Sequence, residues 1–172
     1  MLITFDIDNT IRLHGSSQPA ETPVFRWMAR LIYREPLRVG FSHVCRELRG
    51  LGCKIGIYTT SSRSTGYIRR WMRCYGLQPD LIVNSAIHEV AVSGRFGRDR
   101  LPSKHPGLFG VDLHIDDSAG VALEGETFGF RALRIDPEDT QWCDAVLNAV
   151  RALREVALQV TTRPQSGRTG RP

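Results

Sequence analysis

Asp6 and Asp8 stand one residue apart at the end of the apolar opening in MLITFDIDNTI. In an extended strand alternate side chains share a face, so this spacing predicts two carboxylates projecting to one side. Like charges held that close repel, and each must have a counter-charge or a different task. A second acidic pair, Asp116-Asp117, follows the run VDLHI at 111–115, and the hydroxyls Thr59, Thr60, Ser61 and Ser62 follow KIGIY at 54–58. Lys104 and His105 lie a short way before the second acidic pair. Four carboxylates near one point are strongly unfavourable unless some are protonated or a cation sits among them. A hard divalent ion such as Mg²⁺, bound by oxygen and shared with a substrate phosphate, resolves this. Hydroxyls, backbone N–H groups and a lysine are the complementary donors for phosphate oxygens. The chemistry these groups describe is phosphoryl transfer.

The groups converge only if the elements that carry them lie side by side. Short apolar runs at 2–7, 54–58, 80–83, 111–115 and 132–135 read as five strands. Between them, PLRVGFSHVCRELRGLG places Phe41, Val44, Cys45, Leu48 and Leu51 at helical spacing and ends at Gly52. STGYIRRWMRCYG starts at a Ser64 cap, sets Ile68, Trp71, Met72 and Tyr75 on one face and ends at Gly76. The longest helical pattern begins at Asp139 or Thr140 and runs through DTQWCDAVLNAVRALREVAL. Strand and helix in turn predict an α/β fold, a Rossmann-like three-layer sandwich with a mostly parallel five-stranded sheet. Such sheets bind ligands beyond the carboxyl ends of their strands, where all of these polar groups fall.

Composition agrees with one domain. The 172 residues are 41% hydrophobic and 24% charged, and no apolar run approaches the about 20 residues that span a bilayer. The expected location is cytoplasmic, with no membrane partner. The domain is read as residues 1–160, and the Gly-, Pro- and Ser-containing stretch TTRPQSGRTGRP at 161–172 as a disordered tail. Its Arg163, Arg168 and Arg171 account for much of the net charge of +5, so the body is too mildly basic to argue for nucleic acid on charge alone. Cys45, Cys53, Cys74 and Cys143 include no C-x-x-C pair and read as reduced, mostly buried thiols. His14, His43, His88, His105 and His114 show no metal-ligand spacing, and His114, inside the fourth strand, reads as a satisfied core group.

FDIDNT resembles the first motif of the haloacid dehalogenase superfamily of phosphohydrolases, IGIYTTS is similar to its second, and DLHIDDSAG to its fourth. The likeness spans about residues 2–135, in the family's order. It implies that Asp6 is the nucleophile that becomes an aspartyl phosphate, and that Asp8 is the acid and then the base. It implies Mg²⁺ held by Asp6, the backbone carbonyl of Asp8 and Asp116, with Asp117 nearby. It implies phosphate bound by Thr59 with Thr60 beside it, charge offset by Lys104, and Thr10 bracing the turn. The chain lacks room for the cap domain that often closes over this site, so an open, capless phosphatase is expected. Its partner is a phosphorylated substrate, small or macromolecular, and a homo-oligomer in which a neighbour supplies the lid also suits it.

Competing readings are specific. Asp8 and Thr10 can cap a turn, Thr60 to Ser62 can cap a helix, and Lys104, in the polar run RDRLPSKHPG, can be solvated. A receiver domain uses similar residues in the reverse order. A catalytically idle binding module, or a phosphatase restricted to nucleic-acid ends or phosphoproteins, are the functional alternatives. In TPVFRWMARLIY, the residues Val24, Phe25, Trp27, Met28, Leu31 and Ile32 form an apolar stripe whose default place is the core, with an oligomer contact or a small lid at residues 22–33 as the other possibilities. EVAVSGRFG reads as a hairpin turning at Ser93-Gly94.

Overall fold

The structure is a computed structural model that describes residues 1–15, 18–31, 33, 35–93, 95–96 and 101–162, with side chains through Gln159. Five parallel strands form one sheet in the order β3-β2-β1-β4-β5: β1 Leu2–Phe5, β2 Lys54–Tyr58, β3 Leu81–Val83, β4 Leu113–Asp116 and β5 Ala132–Arg134. The helices are α1 Arg26–Leu31, α2 Phe41–Gly50, α3 Thr65–Cys74, α4 Ser85–Val92, α5 Ala119–Phe128 and α6 Trp142–Thr162. The fold is therefore α/β and Rossmann-like, as the alternating pattern predicts. Right-handed crossovers put α2 and α3 on one face, because the chain moves outward from β1 to β3, and α5 on the other, because it moves the opposite way from β4 to β5.

The two faces of the sheet differ in kind. Ile3 and Phe5 of β1, Ile55 and Ile57 of β2, and Leu113 and Ile115 of β4 point to one face, where they pack with Phe41, Val44 and Leu48 of α2 and Val146 and Val150 of α6. The alternate positions, Thr4, Gly56, Tyr58, His114 and Asp116, lie on the other face. A side chain at Gly56 would meet Thr4 and Leu81 at 2.9–3.1 Å, so β2 approaches its neighbours too closely there for any larger residue. One face thus supplies the apolar core and the other a buried polar lining under the strand ends.

Local chemistry sets the helix limits. Ser64 accepts the Tyr67 N–H at 3.2 Å as the expected cap of α3, and Gly52 and Gly76 take positive φ after α2 and α3. Three expectations differ from what is observed. EVAVSGRFG is not a hairpin: Asn84 caps α4 by accepting the Ile87 N–H, and the helix runs to Val92 before a Ser93–Phe96 bridge, with Gly94 outside the described residues. Most of the stripe is not core: Val24 and Phe25, before α1, and Trp27 and Leu31 within it are 48–71% exposed, whereas Met28 packs against the core and Ala29 is buried. Ile32 lies outside the described residues. Finally, α6 continues through Thr162, two residues into the stretch read as tail, and residues 163–172 are likewise not described. Among the described residues no helix is long and apolar enough to cross a membrane. The four cysteines are free thiols, three of them buried.

Candidate active site

Parallel register brings the expected groups together. Phe5 is level with Ile57 on one side and Ile115 on the other, so Asp6, Thr59 and Asp116 emerge at adjacent strand ends. The Asp6 N–H donates to the Ile115 carbonyl and the Thr59 N–H to the Val83 carbonyl, both at 2.9 Å. The strand stops at Phe5, two residues earlier than the apolar run suggests. The Ile7 carbonyl accepts the N–H groups of Ile11 and Arg12, and Asn9 takes φ 59°, a left-handed conformation that asparagine tolerates. The early turn corrects the expectation that Asp6 and Asp8 share one strand face: their carboxylates part.

Asp6 joins Asp116 and Asp117, with one carboxylate oxygen of each lying within 4.8 Å of the others. Lys104 Nζ is 2.8 Å from Asp6 Oδ1 and 2.5 Å from Asp116 Oδ2, with all three side chains buried, so this lysine is a member of the site and not a solvated one. Both oxygens of Asp116 have partners, and an acceptor position is left on Oδ1: Oδ1 accepts the Ser118 N–H at 2.8 Å, and Oδ2 also accepts from His114 Nε2 at 3.0 Å. That bond assigns the His114 proton to Nε2, leaving Nδ1 to accept from the Thr4 hydroxyl at 2.9 Å. Thr10 is fully buried and donates to Asp117 Oδ1 at 3.3 Å, bracing the acidic pair against the turn. Thr59 is buried, with its hydroxyl accepting the Ser61 N–H at 3.2 Å, while Thr60 is exposed.

Electrostatics follow this geometry. Burial pushes the Asp6 carboxyl above its usual range, Lys104 opposes the rise and Asp116 adds to it. Asp117 is also raised, by burial and then by the Asp116 charge. For Asp116 burial acts upward too, but the His114 hydrogen bond and the Lys104 charge outweigh it and hold the carboxyl well below the ordinary value. Among the described residues, three acids around a single ammonium leave an excess of negative charge. Asp6 Oδ1, although close to Lys104, has no aligned hydrogen bond. A buried carboxylate oxygen without an aligned donor, facing two more carboxylates, fits a hard divalent cation held by Asp6, Asp116 and Asp117.

Asp8 occupies a different environment. Arg63 grips it with two bonds, NH1 to Oδ2 at 2.8 Å and NH2 to Oδ1 at 3.0 Å, and Arg12 and His14 approach Oδ1 at 3.2 and 2.9 Å. Burial acts upward on this carboxyl, but the hydrogen bonds from Arg63 and His14 and the charges of Arg63 and Arg12 prevail and hold it down to about 2. Its carboxylate is not part of the three-acid cluster. On the far side of Arg63 stands Glu35, which accepts from Arg63 NH2 at 2.6 Å and from Tyr67 Oη at 2.5 Å and lies 2.8 Å from Arg12 Nε. The Glu35 carbonyl accepts the Trp71 indole N–H at 2.7 Å. Glu35 thereby ties the segment after α1 to α3 and to the turn carrying Asp8.

This clasp has a measurable pH signature. Burial raises Glu35 but the Arg63 and Tyr67 hydrogen bonds and the two arginine charges lower it further, to a net value below the ordinary one. A depressed carboxyl contributes stability above its unfolded value of about 4.3 and loses it as pH falls through the folded value. Glu35→Gln is expected to cost roughly 1–3 kcal/mol at pH 7, with the gap to wild type closing below about pH 4 in urea melts. A gap independent of pH contradicts the ionic role of Glu35.

Of the residues the sequence reading names, Asp6, Lys104, Asp116 and Asp117 lie together, Thr59 follows the adjacent strand β2 with its hydroxyl bonded to the Ser61 N–H, Thr60 is exposed, and the Asp8 carboxylate stands apart. Sequence reasoning missed Arg12, Glu35, Arg63 and the ties of His114. The i, i+2 spacing of His114 and Asp116 within one strand carries the signal for that last pair.

No protein-family model matches the chain, and no curated protein matches it. Similar solved structures include a chain of the Pnkp1/Rnl/Hen1 complex, at TM-score 0.48 and 14% identity over 77% of this chain and 45% of that one, so the present chain spans less than half its length. They also include two further proteins. One is a mutant CbbY from Rhodobacter sphaeroides in complex with xylulose-(1,5)bisphosphate, at TM-score 0.45 and 15% identity over 76% of this chain and 84% of that one. The other is a predicted HAD-like family hydrolase from Porphyromonas gingivalis, at TM-score 0.44 and 12% identity over 89% of this chain and 97% of that one. The chemistry of the present site is read from its own side chains.

Proposed function

We propose that the protein is a hydrolase of the haloacid dehalogenase type, with its active site at the ends of β1, β2 and β4. More particularly, it is an Mg²⁺-dependent phosphatase, capless, that cleaves a phosphomonoester through an aspartyl phosphate. The observation that carries this reading is the buried set of Asp6 and Asp116 at two neighbouring strand ends and Lys104 from the loop before β4, with Asp117 adjoining. In this reading an Asp6 carboxylate oxygen attacks phosphorus and displaces the alcohol, splitting a difficult hydrolysis into two easier steps. Asp8 gives its proton to the leaving oxygen and later takes one from the water that cleaves the acyl phosphate. As Arg63 holds it, Asp8 is ionised but weakly basic, so both halves require Arg63 to release one of its oxygens. Thr59 and Lys104 hold the phosphoryl oxygens as charge builds on them. Mg²⁺, when bound by Asp6, Asp116 and Asp117 with the Asp8 carbonyl, offsets negative charge between enzyme and phosphate.

Phosphate release from a panel comprising small phosphate esters, a phosphopeptide and an oligonucleotide with a terminal phosphate tests the reading. Turnover of at least one class is expected, abolished by EDTA and restored by Mg²⁺. Turnover that survives EDTA contradicts the metal assignment. Absence of turnover across the panel, with no Mg²⁺ binding by calorimetry, favours an idle binding module.

A further inference from the structure

Beneath the site, on the polar face of the sheet, a second buried network uses none of the residues assigned to chemistry. Tyr58 ends β2 with its ring fully buried, and His88 lies on α4. The distances are 2.6 Å from Tyr58 Oη to His88 Nδ1, 3.1 Å from His88 Nε2 to the Pro102 carbonyl and 2.8 Å from the His105 N–H to Tyr58 Oη. The direction of every bond is fixed. A carbonyl can only accept, so the His88 proton is on Nε2, Nδ1 is the acceptor, and the Tyr58 O–H donates to it while its oxygen accepts from His105. Burial pushes the His88 imidazole down and the Tyr58 phenol up to about 12, so both are in the neutral forms this order requires. His114 and Phe109 flank the Tyr58 ring at centroid distances of 5.4 and 5.5 Å and fix its plane.

The two backbone groups so gripped, at Pro102 and His105, bracket Lys104. A lysine side chain has a flexible four-carbon stem, and its ammonium stays between two carboxylates only if its own backbone is held. From the other side Glu124 of α5 accepts the Ser103 and Lys104 N–H groups at 2.8 and 3.2 Å and the Ser103 hydroxyl at 2.7 Å. We infer that Tyr58 and His88 are positioning residues for Lys104, forming a two-side-chain staple across residues 102–105 that sets where the ammonium meets Asp6 and the transferred phosphate. The inference rests on the phosphatase reading, in which Lys104 touches substrate.

A double-mutant cycle tests it: kcat/KM at saturating Mg²⁺, on whichever phosphomonoester of the panel is turned over, for wild type, Tyr58→Phe, Lys104→Met and the double variant. Tyr58→Phe is expected to lower kcat/KM roughly tenfold, as loss of a supporting hydrogen bond typically does, yet by less than about twofold in the Lys104→Met background. A purely structural role does not depend on whether Lys104 is present, so losses that multiply overturn the inference. His88→Gln, which keeps a donor for Pro102, should retain more activity than His88→Ala, and it supplies the same cycle should Tyr58→Phe fail to fold. Equal losses in the two His88 variants also count against the staple. Wild-type protein without turnover overturns the phosphatase reading and this inference with it, whereas wild-type turnover with multiplying losses overturns the staple alone.

Discussion

Asp6→Asn is expected to abolish phosphate release, with kcat falling about a thousandfold or more, because the amide cannot attack phosphorus. The fold should survive the change. Asp6 is buried beside Asp116, and burial and that neighbour both raise its carboxyl, so a neutral amide of the same shape removes repulsion as well as the Lys104 ion pair. A Tm within a few degrees of wild type, together with lost turnover, separates a chemical role from a structural one. Asp6→Asn turning over at an undiminished rate contradicts the assignment of the nucleophile.

Lys104→Met is the second large effect, and it falls on stability and activity together. Among the described residues the Lys104 ammonium is the one side-chain ammonium or guanidinium in contact with both Asp6 and Asp116, and methionine of similar length removes that counter-charge from two buried carboxylates. Removing one partner of such a cluster typically costs on the order of 3 kcal/mol. Without Mg²⁺ the variant should therefore unfold at markedly lower urea concentration than wild type. Saturating Mg²⁺ should narrow the gap, since a ligand that binds only the folded protein stabilises it in proportion to its affinity, and the more negative cluster binds a cation more tightly. Turnover should remain depressed even then, because Mg²⁺ does not replace the donor to the phosphate. Equal stability of the two proteins in EDTA would show that Lys104 does not carry the charge balance of the site.

The framework was legible where burial writes a regular pattern. The apolar runs located all five strands to within two residues, and the spacing of Val44, Cys45 and Leu48, or of Ile68, Trp71 and Met72, marked α2 and α3. Helices α4 and α5 left no such trace. In α4 only His88 and Val92 are buried, and one of them is polar. In α5 a buried position is Gly125, which lies so close to the Phe130 carbonyl that a side chain there would meet it at 2.8 Å. Close packing through glycine is real burial that leaves no apolar periodicity. The α1 stripe fails in the reverse way: spacing reveals that Val24, Trp27 and Leu31 share a face, but not which way that face turns.

The site was legible to the extent that its residues sit at strand ends. Asp6, Thr59 and Asp116 stand at or just after the ends of adjacent strands, so strand assignment together with a parallel sheet places them at one edge. Lys104 comes from a loop, and only the tertiary grip of Glu124, Tyr58 and His88 fixes its place. The clasp of Asp8 by Arg63 and of Arg63 by Glu35 joins residues up to 55 positions apart in chain segments with no shared pattern.

The account turns on a phosphoryl group passing through Asp6, and acid quench during turnover followed by mass spectrometry of the N-terminal peptide tests this most directly. The prediction is a peptide heavier by one phosphoryl group, localised to Asp6, present with Mg²⁺ and substrate and absent from Asp6→Asn. Steady turnover with the phosphoryl group on another residue would contradict it.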